Sequence, residues 1–218
     1  MRLKHKIDDS GDGNIFWITM TDLMTGLVLV FIVMFLYSYI SNNATAMQQK
    51  IAKENATKTL QESLNKQNIN ATIEPNSGIV KISDLELFEI GCYTLSEKGK
   101  LYLDKFAPVY LNSIFSDKYL EKNVSKIIVQ GHTDSQTFIG KYSADEQYMK
   151  NMELSLNRAF EVANYITNTS YNKNNGDKLR KMIVVEGASF SSPVLVNGKE
   201  DFAKSRRVEL KLVMKNEK

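Results

Sequence analysis

Apolar residues are concentrated early in the chain. Between Ile15 and Ile40, 20 of 26 residues are apolar and Asp22 carries the only charge. The stretch from Leu23 to Ile40 is broken only by Thr25, Gly26 and Ser38, and as a helix it is about 27 Å long. Extended back to Trp17 it exceeds the roughly 30 Å of a bilayer core. Trp17 at one end and Tyr37 and Tyr39 at the other stand where amphipathic rings anchor at the interface. This pattern predicts one transmembrane helix over residues 15–40. A secretory signal peptide is the competing reading, because Arg2, Lys4 and Lys6 precede the run and Ala44-Thr45-Ala46 resembles a cleavage site. Signal peptides have shorter apolar runs without an acid, which favours the membrane helix. Cys92 lies too far along the chain to anchor a lipoprotein.

Residues 41–68 lack Pro and Gly and are rich in Asn, Gln, Lys and Ala, with an incomplete apolar stripe of Met47, Ile51, Leu60 and Leu64. They read as a helical linker or neck, with residues 1–14 as an N-terminal tail. From residue 69 to 218 the pattern is that of a globular domain. Ala71–Glu74 and Ile79–Ser83 read as strands of a hairpin joined by the turn Pro75-Asn76-Ser77-Gly78. Lys98–Phe115 reads as an amphipathic helix after Ser96, burying Leu101, Leu103, Phe106, Val109, Tyr110 and Ile114. Ser125–Gly131 reads as a buried strand, Ala144–Asn168 as a long helix, Lys181–Glu186 as a strand, and Arg207–Met214 as a final strand with strict alternation. The resulting class is α+β, with helices on one face of a sheet.

Composition narrows the chemistry. The chain has 218 residues, 28 Lys+Arg against 25 Asp+Glu, two His and one Cys, with a mean hydropathy of -0.29. A formal charge of +3 is too small to argue for nucleic acid. A single Cys excludes an internal disulfide and a cysteine-based zinc cluster. His5 and His132 are too far apart in sequence to suggest a metal pair. No nucleophile or second acid accompanies His132, which reads as a loop-ordering residue; the chain is not expected to be an enzyme or to carry a cofactor. Cys92 is expected to be an inert, partly buried thiol.

Asp22 is the informative residue of the membrane segment. With a helix starting near Ile15 it lies on the order of 10 Å inside the membrane edge. An acid at that depth costs a few kcal/mol unless it faces partner helices or water. Thr19, Asp22, Thr25 and Gly26 share one helical face. The alternative is that Asp22 merely caps a helix running from Leu23 to Ile40. That reading leaves Ile15, Phe16 and Trp17 unexplained.

Phe16-Trp17-Ile18-Thr19-Met20-Thr21-Asp22-Leu23-Met24-Thr25-Gly26, followed by Phe31–Leu36, resembles the MotB-type stator subunits of ion-driven rotary motors. The resemblance implies that Asp22 accepts the translocated ion, with Thr19, Thr21 and Thr25 in support. Protons are the default ion and sodium the alternative. Gly131-His132-Thr133-Asp134, then Asn151–Ala159, then Arg206-Arg207-Val208-Glu209 resemble the OmpA-like peptidoglycan-binding domain. Leu87-Phe88-Glu89-Ile90-Gly91 with Leu95-Ser96 also fits. This implies that Asp134 takes the ammonium and Arg158 the carboxylate of a diaminopimelate in the wall peptide. Thr133, Asn151, Leu154 and Arg206 would complete the site. Ser205 stands where that family has Asn, and residues 135–150 are longer than its usual spacing.

Together these resemblances imply the B subunit of a rotary membrane motor. Its partners would be a larger polytopic A subunit forming a ring around the membrane helices, a second copy of itself, and peptidoglycan. The chain would cross the inner membrane once, with its N-terminus cytoplasmic and its C-terminal domain periplasmic. Lysine and arginine counting leans the same way, with three basic residues ahead of the helix and Lys50 and Lys53 after it. The short N-terminus and compact linker resemble the B subunits of Zorya anti-phage defence motors. A flagellar-type stator is the first alternative, and a passive wall tether the second.

Overall fold

The computed structural model describes residues 11–74, 77–168 and 176–215. The turn residues Pro75 and Asn76 and the basic residues of the N-terminal tail lie outside them. The first helix, α1 (Gly11–Lys66), runs through the apolar segment and the linker without a break. Asp22 is therefore an interior residue of a helix, which removes the capping alternative.

The chain divides into two units, residues 1–50 and 51–218. In the first, Phe16–Ala44 is long and apolar enough to cross a membrane, and its residues are all exposed within the chain. A soluble core helix would bury such a face; this one needs lipid or partner helices around it.

The second unit begins within α1. Leu60 and Leu64 are buried in its hydrophobic core, so the end of the segment read as a linker packs as part of the domain. There follow β1 (Thr72–Ile73), β2 (Val80–Ser83), α2 (Asp84–Leu87), α3 (Glu97–Phe115), α4 (Lys118–Asn123), β3 (Val124–His132), α5 (Ala144–Asn168), α6 (Gly176–Met182), β4 (Ile183–Gly187), β5 (Leu195–Val196), β6 (Lys199–Glu200), α7 (Phe202–Ser205) and β7 (Arg207–Met214). The main sheet has the order β1-β2-β7-β3-β4, with β3 and β4 parallel and the other neighbours antiparallel. Helix α3 starts where Ser96 accepts a hydrogen bond from the Gly99 amide. Leu101 departs from expectation: it is exposed, and the buried stripe of α3 is Leu103, Phe106, Ala107, Val109, Tyr110, Leu111 and Ile114.

Alternation sorts the sheet into two faces. Val80, Ile82, Ile127, Val129, Val208 and Leu210 point into the core. Lys81, Ser83, Gln130, His132, Arg207, Glu209 and Lys211 occupy the opposite face. The segment from residue 188 to 206, including β5, β6 and α7, crosses the end of this polar face, so Arg207, Glu209 and His132 are buried as well. Arg207 Nε donates to Glu209 at 2.6 Å, Lys211 Nζ lies 3.0 Å from the same carboxylate, and His132 Nε2 stands 3.5 Å away.

Two glycines bring α5 onto the sheet. A Cβ on Gly131 would stand 2.0 Å from the Ser155 carbonyl oxygen, and one on Gly187 would stand 2.9 Å from the Leu156 amide nitrogen. Only glycine permits this approach, which seats Ser155 and Arg158 against the ends of β3 and β4.

Candidate functional site

Four charged side chains from four separate segments meet at that end of the sheet. Asp84 opens α2, Asp134 follows β3, Arg158 projects from α5, and Arg206 precedes β7. Arg158 Nη2 lies 3.2 Å from Asp84 Oδ2, and Arg206 Nε lies 3.9 Å from the same oxygen. Arg206 Nη1 forms an ion pair with Asp134 Oδ2 and donates to Gln136 Oε1 at 3.4 Å. Asp134 Oδ1 accepts from the Gln136 amide at 3.2 Å. The cluster thus holds two guanidinium groups and two carboxylates, with no net charge.

Arg158 is only 2% exposed. Its Nε donates to the Cys92 carbonyl at 2.9 Å, and its guanidinium carbon sits 5.3 Å from the centre of the Phe88 ring. Cys92 thereby contributes its backbone; the residue is exposed rather than partly buried. Asn151 is buried and donates to the Gln147 carbonyl at 3.1 Å, while Leu154 is half-buried on α5. The Thr133 amide donates to the Ser189 carbonyl at 2.9 Å, tying the loop to the end of β4. Ser155 continues that tie by accepting from the Ser189 amide at 3.0 Å. Ser205, at the position of the expected Asn, accepts from the Val194 amide at 3.0 Å and so holds the 188–206 segment in place.

Asp84 and Phe88 were not among the residues expected here. Their signal was close at hand, since Asp84 lies three residues before the Leu87–Gly91 segment. The Asp84 amide donates to the Arg206 carbonyl at 3.1 Å, which locks the end of β2 to the second arginine. Among the described residues, Asp84 Oδ1 and Thr133 Oγ1 are buried without a hydrogen-bond partner.

Burial sets the electrostatics. The Asp84 carboxyl is pushed up to about 6 from 3.8, because desolvation outweighs the attraction of Arg158 and Arg206. Desolvation likewise pulls the Arg158 guanidinium down from its ordinary value. Between about 4 and 6 the folded chain keeps on Asp84 a proton that the unfolded chain has released. This contribution therefore lowers stability as pH rises through that window, by about 3 kcal/mol in all. His132 opposes it: burial lowers its protonation, so it costs stability as pH falls below 6.5. Glu209 is held well below the usual carboxylate range despite its burial, by the Arg207 guanidinium and Lys211 ammonium against it, with the His132 ring 3.5 Å away. Its contribution is present above 4.5 and lost on acidification below that. Comparing wild type with Asp84→Asn isolates the first of these effects. The stability advantage of wild type over the variant is expected to shrink by about 2 kcal/mol between pH 4.5 and 7.5. Urea unfolding of residues 51–218 measures it, and a difference that stays flat would mean that the arginines fully offset burial.

On α1, Thr21 Oγ1 donates to the Trp17 carbonyl at 2.7 Å and Thr25 Oγ1 to the Thr21 carbonyl at 2.8 Å. Thr19 Oγ1 donates to the Phe16 carbonyl at 2.9 Å. The hydroxyl protons are thus directed at the helix backbone. Trp17, Ile18, Thr19, Thr21, Asp22 and Thr25 line one open concavity on this helix.

No protein-family model matches the chain. Two curated proteins do, over nearly its whole length. It is 30% identical over 211 residues to the Zorya protein ZorB of Escherichia coli strain Crooks, covering 92% of this chain and 88% of that protein. It is 26% identical over 215 residues to the Zorya protein ZorB of Escherichia coli O139:H28 strain E24377A, covering 90% and 79%. Among solved structures, a MotB-like protein from Desulfovibrio vulgaris superimposes with a TM-score of 0.55 at 17% identity, over 77% of this chain and 98% of that one. That likeness is one of fold.

Proposed function

Because the chain belongs to the ZorB family of Zorya proteins, we propose that it is the B subunit of an ion-driven rotary motor in a Zorya anti-phage defence system. Its C-terminal domain anchors it to peptidoglycan. The observation that carries this reading is the pairing, in one chain, of a lone carboxylate inside a bare apolar helix with a charge-balanced, buried ion cluster.

The cluster suits a zwitterion. An ammonium placed at Asp134 and a carboxylate placed at Arg158 or Arg206 keep the site neutral, each gaining charge-assisted hydrogen bonds. Asp84 Oδ1 is one more acceptor without a donor. A ligand with net charge would leave one buried ion uncompensated. In this reading Asn151, Leu154 and Thr133 complete the site. At the membrane, Asp22 alternates between protonated and ionised states as ions pass, and the threonine oxygens help to carry them. Protons are the default ion in this reading, with sodium as the alternative. Two copies of the chain stand within a ring of larger A subunits in the inner membrane, N-termini cytoplasmic and wall domains periplasmic. Wall anchorage holds the pair still, so the ring turns.

Co-sedimentation with isolated sacculi tests the anchor. Full-length protein in detergent is expected to pellet with sacculi, and Asp134→Asn to lower the bound fraction at least tenfold, a loss of about 1.4 kcal/mol or more. Undiminished binding by the variant would remove Asp134 from the site.

A further inference from the structure

A cavity of about 370 Å³ opens on the polar face of the sheet, beneath the segment formed by residues 188–206. Thr72, Lys81, Ser83 and Arg207 line it from the sheet, and Lys204 and Arg206 from the covering side. Four of these side chains are cationic, and no acid lines the cavity. The two lysines are paired with carboxylates that do not line the cavity: Glu74 lies 3.6 Å from Lys81 and Asp201 lies 3.1 Å from Lys204. Arg207 is committed elsewhere, to Glu209 and to the Ser192 and Ser205 carbonyls, so it supplies field rather than a free donor. Lys81 and Lys204 are different. Both side chains remain partly in solvent, and pairs of this exposed kind contribute little that an incoming anion could not replace. The Ser83 hydroxyl makes no cap hydrogen bond to α2, which it precedes.

Arg206 belongs to this cavity and to the ion cluster at once. We infer that the wall-binding site extends past Arg206 into a second anion subsite, in which Lys81 and Lys204, aided by Ser83, bind a further carboxylate of the same peptide. This rests on the peptidoglycan reading above and narrows its ligand. The preferred ligand is a stem peptide with a free acid next to its diaminopimelate, not the diamino acid by itself.

Binding to full-length protein in detergent tests the subsite with three probes: meso-diaminopimelate, the tripeptide L-alanyl-γ-D-glutamyl-meso-diaminopimelate, and that tripeptide with its glutamyl α-carboxylate amidated. Wild type is expected to bind the free acid roughly tenfold more tightly than the amide. Lys81→Gln with Lys204→Gln should bind acid and amide alike while holding diaminopimelate as wild type does. Lys81→Arg with Lys204→Arg should keep the preference, showing that charge and not packing carries it. Equal affinity of wild type for acid and amide would overturn the subsite and leave the diaminopimelate site standing. Failure of wild type to bind any of the three would sink both.

Discussion

Replacing Asp22 by Asn is expected to return phage plating on cells carrying the complete defence system to the level of cells that lack this chain. Asparagine has nearly the shape of aspartate and the same capacity to sit among Thr19, Thr21 and Thr25. It cannot take up and release a proton or hold a charge. A charge moved through 100 mV is worth about 2.3 kcal/mol, and without a titrating group that work has no route into rotation. Protein level, membrane insertion and sacculus binding should stay as in wild type, because the substituted side chain lies in the first unit and the wall site in the second. Resistance that survives the substitution would leave the chain a passive tether.

Arg158→Ala carries the second large effect. The substitution strands Asp84, buried at 2% exposure, beside a cavity. It also removes the hydrogen bond to the Cys92 carbonyl and the contact with the Phe88 ring. Breaking a buried pair by removing one partner costs about 3–5 kcal/mol. Residues 51–218 should show a loss of that size in urea unfolding, and full-length protein should lose sacculus binding at a temperature where the variant is still folded. Arg158→Met combined with Asp84→Leu separates the two roles. Removing both charges together should recover most of the stability, since burial penalises both ionised groups, yet binding should stay lost. If the double variant were as unstable as Arg158→Ala, the pair would be a structural element rather than a group of charges held for a ligand.

Much of this was legible along the chain. The apolar run with its single acid announced a membrane helix, because its length and its lack of charge are local properties. The long helix Ala144–Asn168 and the final strand Arg207–Met214 followed from their 3.6- and 2-residue periods. Asp134, Arg158 and Arg206 stood out through short motifs.

What stayed hidden depends on contacts between residues far apart in sequence. Nothing local to Asp84 says that it will face Arg158, 74 positions later, or that Arg206 will stand between it and Asp134. Leu60 and Leu64 look like a weak stripe on a polar helix until the domain closes over them, and Leu101 looks like core until the neighbours of α3 leave it in solvent. Periodicity reports which face of an element is apolar, but not which element covers it. The buried carboxylate, the neutral cluster and the basic cavity beside it were therefore decided by tertiary packing. Sequence determined the helix, the strands and the identity of the charged groups; the fold determined which charges meet, because pairing energies become large only where water is excluded.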